Sequence, residues 1–128
     1  MRYIGIDYGE KRVGIAVSDP EGRIAFPREI LENKGDAAIV RKIGKFAKQE
    51  QAGHIIIGLP VDLQGKETVT TKRVRAFVQR LKDTIVVPVE FENEMLTTRM
   101  AHRIGVKKKH VDASSAALIL QSYLDKHR

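Results

Sequence analysis

The apolar positions fall into blocks of two different periods. From Arg2 to Tyr8 they alternate, with Ile4 and Ile6 on one face and Gly5 and Asp7 on the other, which predicts a strand. After the turn Gly9-Glu10-Lys11-Arg12, a second strand puts Val13, Ile15 and Val17 on one face and Gly14, Ala16 and Ser18 on the other. Asp19-Pro20-Glu21-Gly22 is a turn sequence. A third strand is predicted over Arg23 to Ile30; Pro27 confines it to a sheet edge, because proline has no N–H to give a second neighbour. Three strands joined by short turns make an antiparallel meander.

The period then lengthens. Ile39, Ile43, Phe46 and Ala47 recur at helix spacing with lysines opposite, predicting a helix over Ala38 to Gln51 that ends near Gly53. His54-Ile55-Ile56-Ile57-Gly58-Leu59 is apolar on both faces, as a buried parallel strand must be. A polar loop, Pro60 to Lys66, leads to a second helix with Val74, Phe77, Val78 and Leu81 on its inner side and Lys72, Arg73, Arg75, Arg80 and Lys82 outside. Ile85 to Phe91 reads as a strand. Leu96, Met100 and Ile104 mark a short helix stopped by Gly105, and Ala113 to Lys126 a closing helix with Leu118, Leu120 and Tyr123. The order β-β-β-α-β-α-β-α-α predicts an α/β fold: a five-stranded mixed sheet, meander plus parallel strands, flanked by helices in one domain over residues 1–128.

One pattern reaches across the chain. The small face of the first two strands (Gly5, Gly14, Ala16) matches the small start of the last helix (Ala113, Ser114, Ser115, Ala116, Ala117), so the two backbones can approach closely. Such a contact would bring Asp112 toward Asp7.

Composition narrows the class of function. Lys and Arg number 23 against 16 Asp and Glu, a net charge of +7, which points to a polyanionic partner, nucleic acid first. Aromatic residues are 5% with no Trp, which disfavours a base-stacking single-strand platform. No stretch is long and apolar enough for a membrane span. The opening MRYIGIDYGEKR is unlike a signal peptide, and cysteine is absent, so a cytoplasmic setting is expected. P-loop, dinucleotide, serine-hydrolase and zinc-protease signatures are missing, and His54, His102, His110 and His127 lack ligand spacing.

The candidates for chemistry are carboxylates. Asp7 points from a buried strand, where a carboxylate needs a cation, a proton or donors. Glu90, Glu92 and Glu94 share parity, so alternation cannot choose among them. Asp112 stands where an N-cap would. Hard Asp and Glu oxygens are what Mg²⁺ prefers, and two such ions can activate water against a phosphodiester.

Four segments in order resemble the YqgF, or RuvX, family of Holliday junction resolvases with an RNase H-like fold: GIDYGEKRVGIAVSD at 5–19, IIIGLPVDLQGKE at 55–67, VPVEFENEMLTT at 87–98 and VDASSAALILQSYL at 111–124. The resemblance places the family's acidic positions on Asp7, Glu94 and Asp112, as catalytic residues and ligands of Mg²⁺ or Mn²⁺, with two ions expected. It selects Glu94 from the three glutamates. The family's Asp-Glu-Arg segment here reads Asn93-Glu94-Met95, and Arg99, about a turn later, is the candidate replacement for the missing Arg. Lys11, Arg12, Lys66, Arg99, Lys107, Lys108 and Lys109 are the expected nucleic-acid contacts; Asp62 and Gly65 fall in the matching loop.

What the resemblance implies about substrate is divided between 5′-end processing of precursor 16S rRNA and resolution of four-way DNA junctions. The partner is accordingly structured RNA or branched DNA, met by a monomer or weak homodimer. Two other classes stay open: a non-catalytic nucleic-acid module, and an ATPase, since the Asp7–Gly14 hairpin is similar to the phosphate-binding hairpin of the actin and sugar-kinase superfamily. That superfamily needs two lobes, and 128 residues make one.

Overall fold

The computed structural model describes residues 1–93 and 113–127. Five strands, β1 (Arg2–Tyr8), β2 (Arg12–Ser18), β3 (Ala25–Glu32), β4 (Ala52–Leu59) and β5 (Val89–Asn93), form one mixed sheet in the order β3-β2-β1-β4-β5. The β1–β2 and β2–β3 pairs are antiparallel, and β1–β4 and β4–β5 are parallel. The expected meander and the edge position of Pro27 are both present. Pro27 pairs with Ala16 where the β2–β3 register shifts, a place where the ladder tolerates a missing donor.

Among the described residues, three helices cover the sheet. α1 (Asp36–Glu50) and α2 (Val69–Thr84) lie on one face, and α3 (Ala113–Lys126) on the other. Alternation along the strands makes this possible. Ile4, Ile6, Val13, Ile15, Ile55 and Ile57 pack under α1 and α2, whereas Ile56 and Ala16 pack under α3. The all-apolar run of β4 is thus buried on both sides, at roughly 1.5–3 kcal/mol for each large side chain removed from water. In α3 the inner stripe is Ala116, Ile119, Leu120, Tyr123 and Leu124; Leu118 is only half-buried.

Several boundaries depart from expectation. β3 starts at Ala25, because the Asp19 carboxylate accepts the Arg23 and Ile24 N–H groups at 2.7 and 3.0 Å and keeps those residues in the turn. α1 begins two residues early and ends at Gln51, whose φ of 52° makes the left-handed stop expected near Gly53. Gly53 belongs to β4 instead, where a Cβ would stand 2.7 Å from the Met1 side chain. β5 begins at Val89 rather than Ile85: α2 runs to Thr84, Ile85 caps it by donating to Leu81 O, and pairing starts only at Val89 opposite Ile55. The short helix expected around Leu96 to Ile104 lies outside the described residues.

The small-on-small contact is present and close. A Cβ on Gly5 would lie 2.7 Å from Leu120 Cβ and 2.9 Å from Ala116 O, so nothing larger than hydrogen fits between β1 and α3. At the far end of the helix the Tyr123 ring packs on Tyr3 at 6.0 Å. Going from Ala116 to Tyr123 therefore follows Gly5 back to Tyr3: α3 runs against β1, and its first turn lies toward the Asp7 end.

On the opposite face, Tyr8 stacks on Phe77 of α2 at 4.4 Å and donates to Asp36 Oδ1, at the start of α1, at 2.5 Å. Asn33 clamps the β1–β2 turn: its Nδ2 donates to Gly9 O at 2.8 Å, and its N–H to Lys11 O at 2.9 Å. The turn carrying the candidate cations is held from beneath.

Two stability predictions follow from these contacts. Gly5→Ala should cost about 2 kcal/mol or more by overpacking against Ala116 and Leu120; a urea midpoint unchanged from wild type would refute the close approach. Burial, then the Asp36 acceptor, raises the Tyr8 hydroxyl above its ordinary 10.0. Because the folded state resists ionisation, this stabilisation is complete below about pH 10 and is lost as pH rises through the raised value. Tyr8→Phe should therefore cost about 1 kcal/mol at neutral pH for the lost hydrogen bond, and the gap between wild type and variant should narrow above about pH 10 in paired denaturation curves.

Candidate functional site

Asp7 is 8% exposed and shares the α3 side of β1 with Gly5. Its surroundings are set by register. β2 pairs Gly14 with it, and one step beyond the Ile6–Ile57 pair β4 presents Gly58, itself level with Glu92 of β5. Across this face the row reads Gly14, Asp7, Gly58, Glu92. With a glycine on each side, no side chain of the neighbouring described strands flanks Asp7 within its own row.

Glu92 is another matter. It is 4% exposed, and its Oε2 accepts from Ser122 Oγ at 2.6 Å and Lys126 Nζ at 2.7 Å. A buried carboxylate with an ammonium partner and a hydroxyl donor is already neutralised, and Glu92 ties β5 to α3. Glu90 is likewise engaged: it accepts from the Tyr123 hydroxyl and lies 3.3 Å from His54 Nε2. Burial first, and then Glu90, push the Tyr123 hydroxyl well above the ordinary phenol range. The sequence offered no sign of these ties, because Ser122, Tyr123 and Lys126 lie about thirty residues downstream of the glutamates they hold.

Three of the seven expected cations are described, and they lie on the segments that follow β1 and β4. Lys11 and Arg12 are exposed in the β1–β2 turn, and Lys66 is exposed in the loop after β4. An ion pair between Glu10 of that turn and Arg73 ties the turn to α2, the helix that follows the loop. Among the described residues, Lys11, Arg12 and Lys66 make no ion pair, which leaves their charge for an external anion. Glu94, Arg99, Lys107, Lys108, Lys109 and Asp112 lie outside the described residues.

The loop is braced from within. Asp62 Oδ1 accepts from the N–H groups of Gln64 and Lys66 at 2.9 and 2.8 Å, and Gly65 takes a φ of 80°. Thr68 caps α2 in a reciprocal pair with Thr71, whose hydroxyl donates back to Pro60 O. Asp62 is therefore a loop staple. The Thr-x-x-Thr spacing ahead of an apolar helix was the legible signal for this cap, and the reading of the loop as simply polar passed it over.

Among the described residues no three His, Asp or Glu side chains are grouped to hold a metal ion. His54 and His127 are stacked among aromatic rings instead, on Tyr3 at 5.6 Å and on Tyr123 at 4.0 Å. The Asp7 carboxylate is of the hard-oxygen type that Mg²⁺ and Mn²⁺ prefer.

Comparisons with known proteins place the chain by family and fold. The chain is 34% identical to a protein of Maridesulfovibrio salexigens named "Putative pre-16S rRNA nuclease", over 97% of this chain and 98% of that one. A protein of the same name from a Sulfurihydrogenibium species is 38% identical over 98% of this chain and 90% of its own length. Among solved structures, RuvC of T. thermophilus in complex with a Holliday junction substrate superposes with a TM-score of 0.65 at 14% identity, covering 99% of this chain and 96% of that one. At that identity the likeness is one of fold, the RNase H-like sheet that the sequence resemblance implied. The RuvX family model, described as Holliday junction resolvase, matches residues 1–126, and the chain belongs to that family.

Proposed function

We propose that this protein is a divalent-metal-dependent nuclease that hydrolyses phosphodiester bonds, acting in 5′-end processing of precursor 16S rRNA. The observation that carries the reading is Asp7: a buried carboxylate in a glycine-flanked row, rimmed by Lys11, Arg12 and Lys66. Carboxylates to hold a cation, set within cations that hold a polyanion, are what phosphodiester hydrolysis needs. The relatives' shared name supplies the RNA substrate.

In this reading Asp7, Glu94 and Asp112 are the metal ligands. Mg²⁺ or Mn²⁺ bound there supplies charge for the attacking and leaving oxygens. Three features support the set. Glu90 and Glu92 are spent on α3, so of the three glutamates these two have structural roles of their own. α3 directs its first turn, immediately after Asp112, to the Asp7 end of β1. The positive pole of its dipole also lies there and favours anionic groups. Lys11, Arg12 and Lys66, with Arg99 and Lys107 to Lys109, hold the phosphate backbone. Hydrolysis joins a water oxygen to phosphorus as the ester P–O bond breaks, the water losing a proton and the leaving oxygen gaining one. The enzyme works as a single-domain monomer in the cytoplasm, since trimming one RNA end needs one cut rather than two symmetric ones.

The test offers a labelled precursor 16S rRNA 5′ fragment and a four-way DNA junction to the protein with Mg²⁺ or Mn²⁺. Cleavage of the RNA is expected, abolished by EDTA and reduced at least about a hundredfold by Asp7→Asn, with binding retained. Cleavage of the junction alone would move the assignment to resolution. Undiminished cleavage by Asp7→Asn would remove the site. Binding without cleavage of either substrate, weakened steeply by salt, would identify a non-catalytic module.

A further inference from the structure

α1 carries positive charge along its outer side with nothing to balance it. Its inner stripe of Ile39, Val40, Ile43 and Ala47 is buried in the core, whereas Arg41, Lys42, Lys45 and Lys48 are exposed. No acid stands between Asp36 and Glu50. Those two, at the helix ends, are turned to other partners: Asp36 accepts from Tyr8, and Glu50 pairs with Arg28 of β3 at 3.2 Å. Among the described residues the four cations make no ion pair. α2, on the same face of the sheet, adds Lys72, Arg80 and Lys82, also exposed and outside every ion pair of the described residues. On the other face, α3 has a single lysine, Lys126, and Glu92 holds it.

This pattern is that of a binding face. A helix kept charged for solubility alone mixes both signs, often as pairs three or four residues apart. Here Arg41 and Lys45, four apart, and Lys45 and Lys48, three apart, repel each other. The helix dipole favours Lys48 in the last turn but gives nothing to Arg41 and Lys42 in the middle. Positions 41, 45 and 48 fall on one line about 10 Å long, at a rise of about 1.5 Å per residue, which matches a short run of phosphates along one backbone. What the face lacks also selects its partner. Its exposed residues are Ala37, Gln49 and the four cations, with no large apolar side chain of the kind a helix needs to lie in a membrane surface.

We propose that the outer face of α1 is a second nucleic-acid surface, holding the phosphate backbone of a helical segment other than the one at the Asp7 end. Asp7 shares the α3 side of β1 with Gly5, and α1 covers the opposite side, so one straight duplex does not cover both surfaces. The proposal rests on the reading of the Asp7 end as a nucleic-acid site and names the substrate class that site takes: folded nucleic acid with at least two helical segments, one docked on α1 and one presented for cutting. A multi-stem RNA and a four-way DNA junction share that chemistry, and the experiment includes both.

Because the chain has no cysteine, Lys45→Cys and Lys11→Cys each create one attachment point for a photo-crosslinker. Each labelled protein is irradiated in EDTA on the precursor RNA and on the junction. Lys45→Cys should crosslink to a segment distinct from the one that Lys11→Cys marks. Arg41→Gln, Lys45→Gln and Lys48→Gln combined should keep the wild-type melting temperature, since all three side chains are exposed and glutamine is a good helix former. The triple variant should bind both substrates at least about tenfold more weakly, with a salt dependence of log K shallower by about two to three. In cleavage it should raise KM and leave kcat. No crosslink from Lys45→Cys, crosslinks to the same nucleotides from both positions, or unchanged affinity and salt slope in the triple variant would each overturn the second surface. So would a triple variant that loses only its binding to vesicles of phosphatidylcholine and phosphatidylglycerol, which would assign the face to membranes. If the triple variant melts early, the crosslinks decide. Failure of the wild type to cut either substrate, with the Lys45→Cys crosslink present, would overturn the nuclease reading alone. Failure to bind any nucleic acid would overturn both.

Discussion

The rest of the structure depends on the approach of two backbones at Gly5. With a carbonyl of α3 2.9 Å from where a Cβ would stand, the helix lies on the sheet at the shortest separation the chain permits. Helix depth fixes everything else on that face. It sets Ile119 and Leu120 into the apolar layer with Ile56, and brings Ser122, Tyr123 and Lys126 within reach of the two β5 glutamates. One missing side chain on β1 thereby decides how the last helix, the last strand and the candidate site relate.

The same face shows how buried charge is divided. Glu92 has lost nearly all its water and is compensated by a lysine and a hydroxyl, so its contribution is to specify where α3 sits. Asp7 is equally buried but stands between glycines. The protein thus keeps two carboxylates within one row, Glu92 tied to α3 and Asp7 with a glycine on each side in the sheet. On the other face, Tyr8 and Asn33 fasten the cationic turn to α1, α2 and β3 through short bonds, so the charges meet a ligand from a rigid platform.

Much of this was legible from residues alone, for physical reasons. Alternation in β1 and β2, and the doubly apolar Ile55 to Ile57, report burial directly, so the mixed five-stranded sheet with its meander followed. Even the long-range contact of Gly5 with α3 could be anticipated, because small residues at matching positions are rare enough to be informative. What failed was local in origin but decided by tertiary geometry. Ile85 is apolar and looked like strand, yet α2 needed it as a cap. Gly53 looked like a helix stop, yet it makes room for Met1, and Gln51 bears the left-handed turn. The engagement of Glu90 and Glu92 is decided by partners on a distant helix, which parity along the strand does not report.

That α3 follows every strand of the sheet in sequence has a consequence for biosynthesis. β1, β2 and β4 can assemble from the first half of the sequence, but the face carrying Gly5, Ala16 and Ile56 has no cover until residues 113–124 have been made. At bacterial translation speeds of roughly 5–20 residues per second, that surface waits for several seconds as the second half is synthesised. During that interval the nascent chain presents an apolar strip beside an incomplete centre. The sheet face beneath α3 therefore closes last among the described elements, and it closes over the strands on which Asp7 and Glu92 stand.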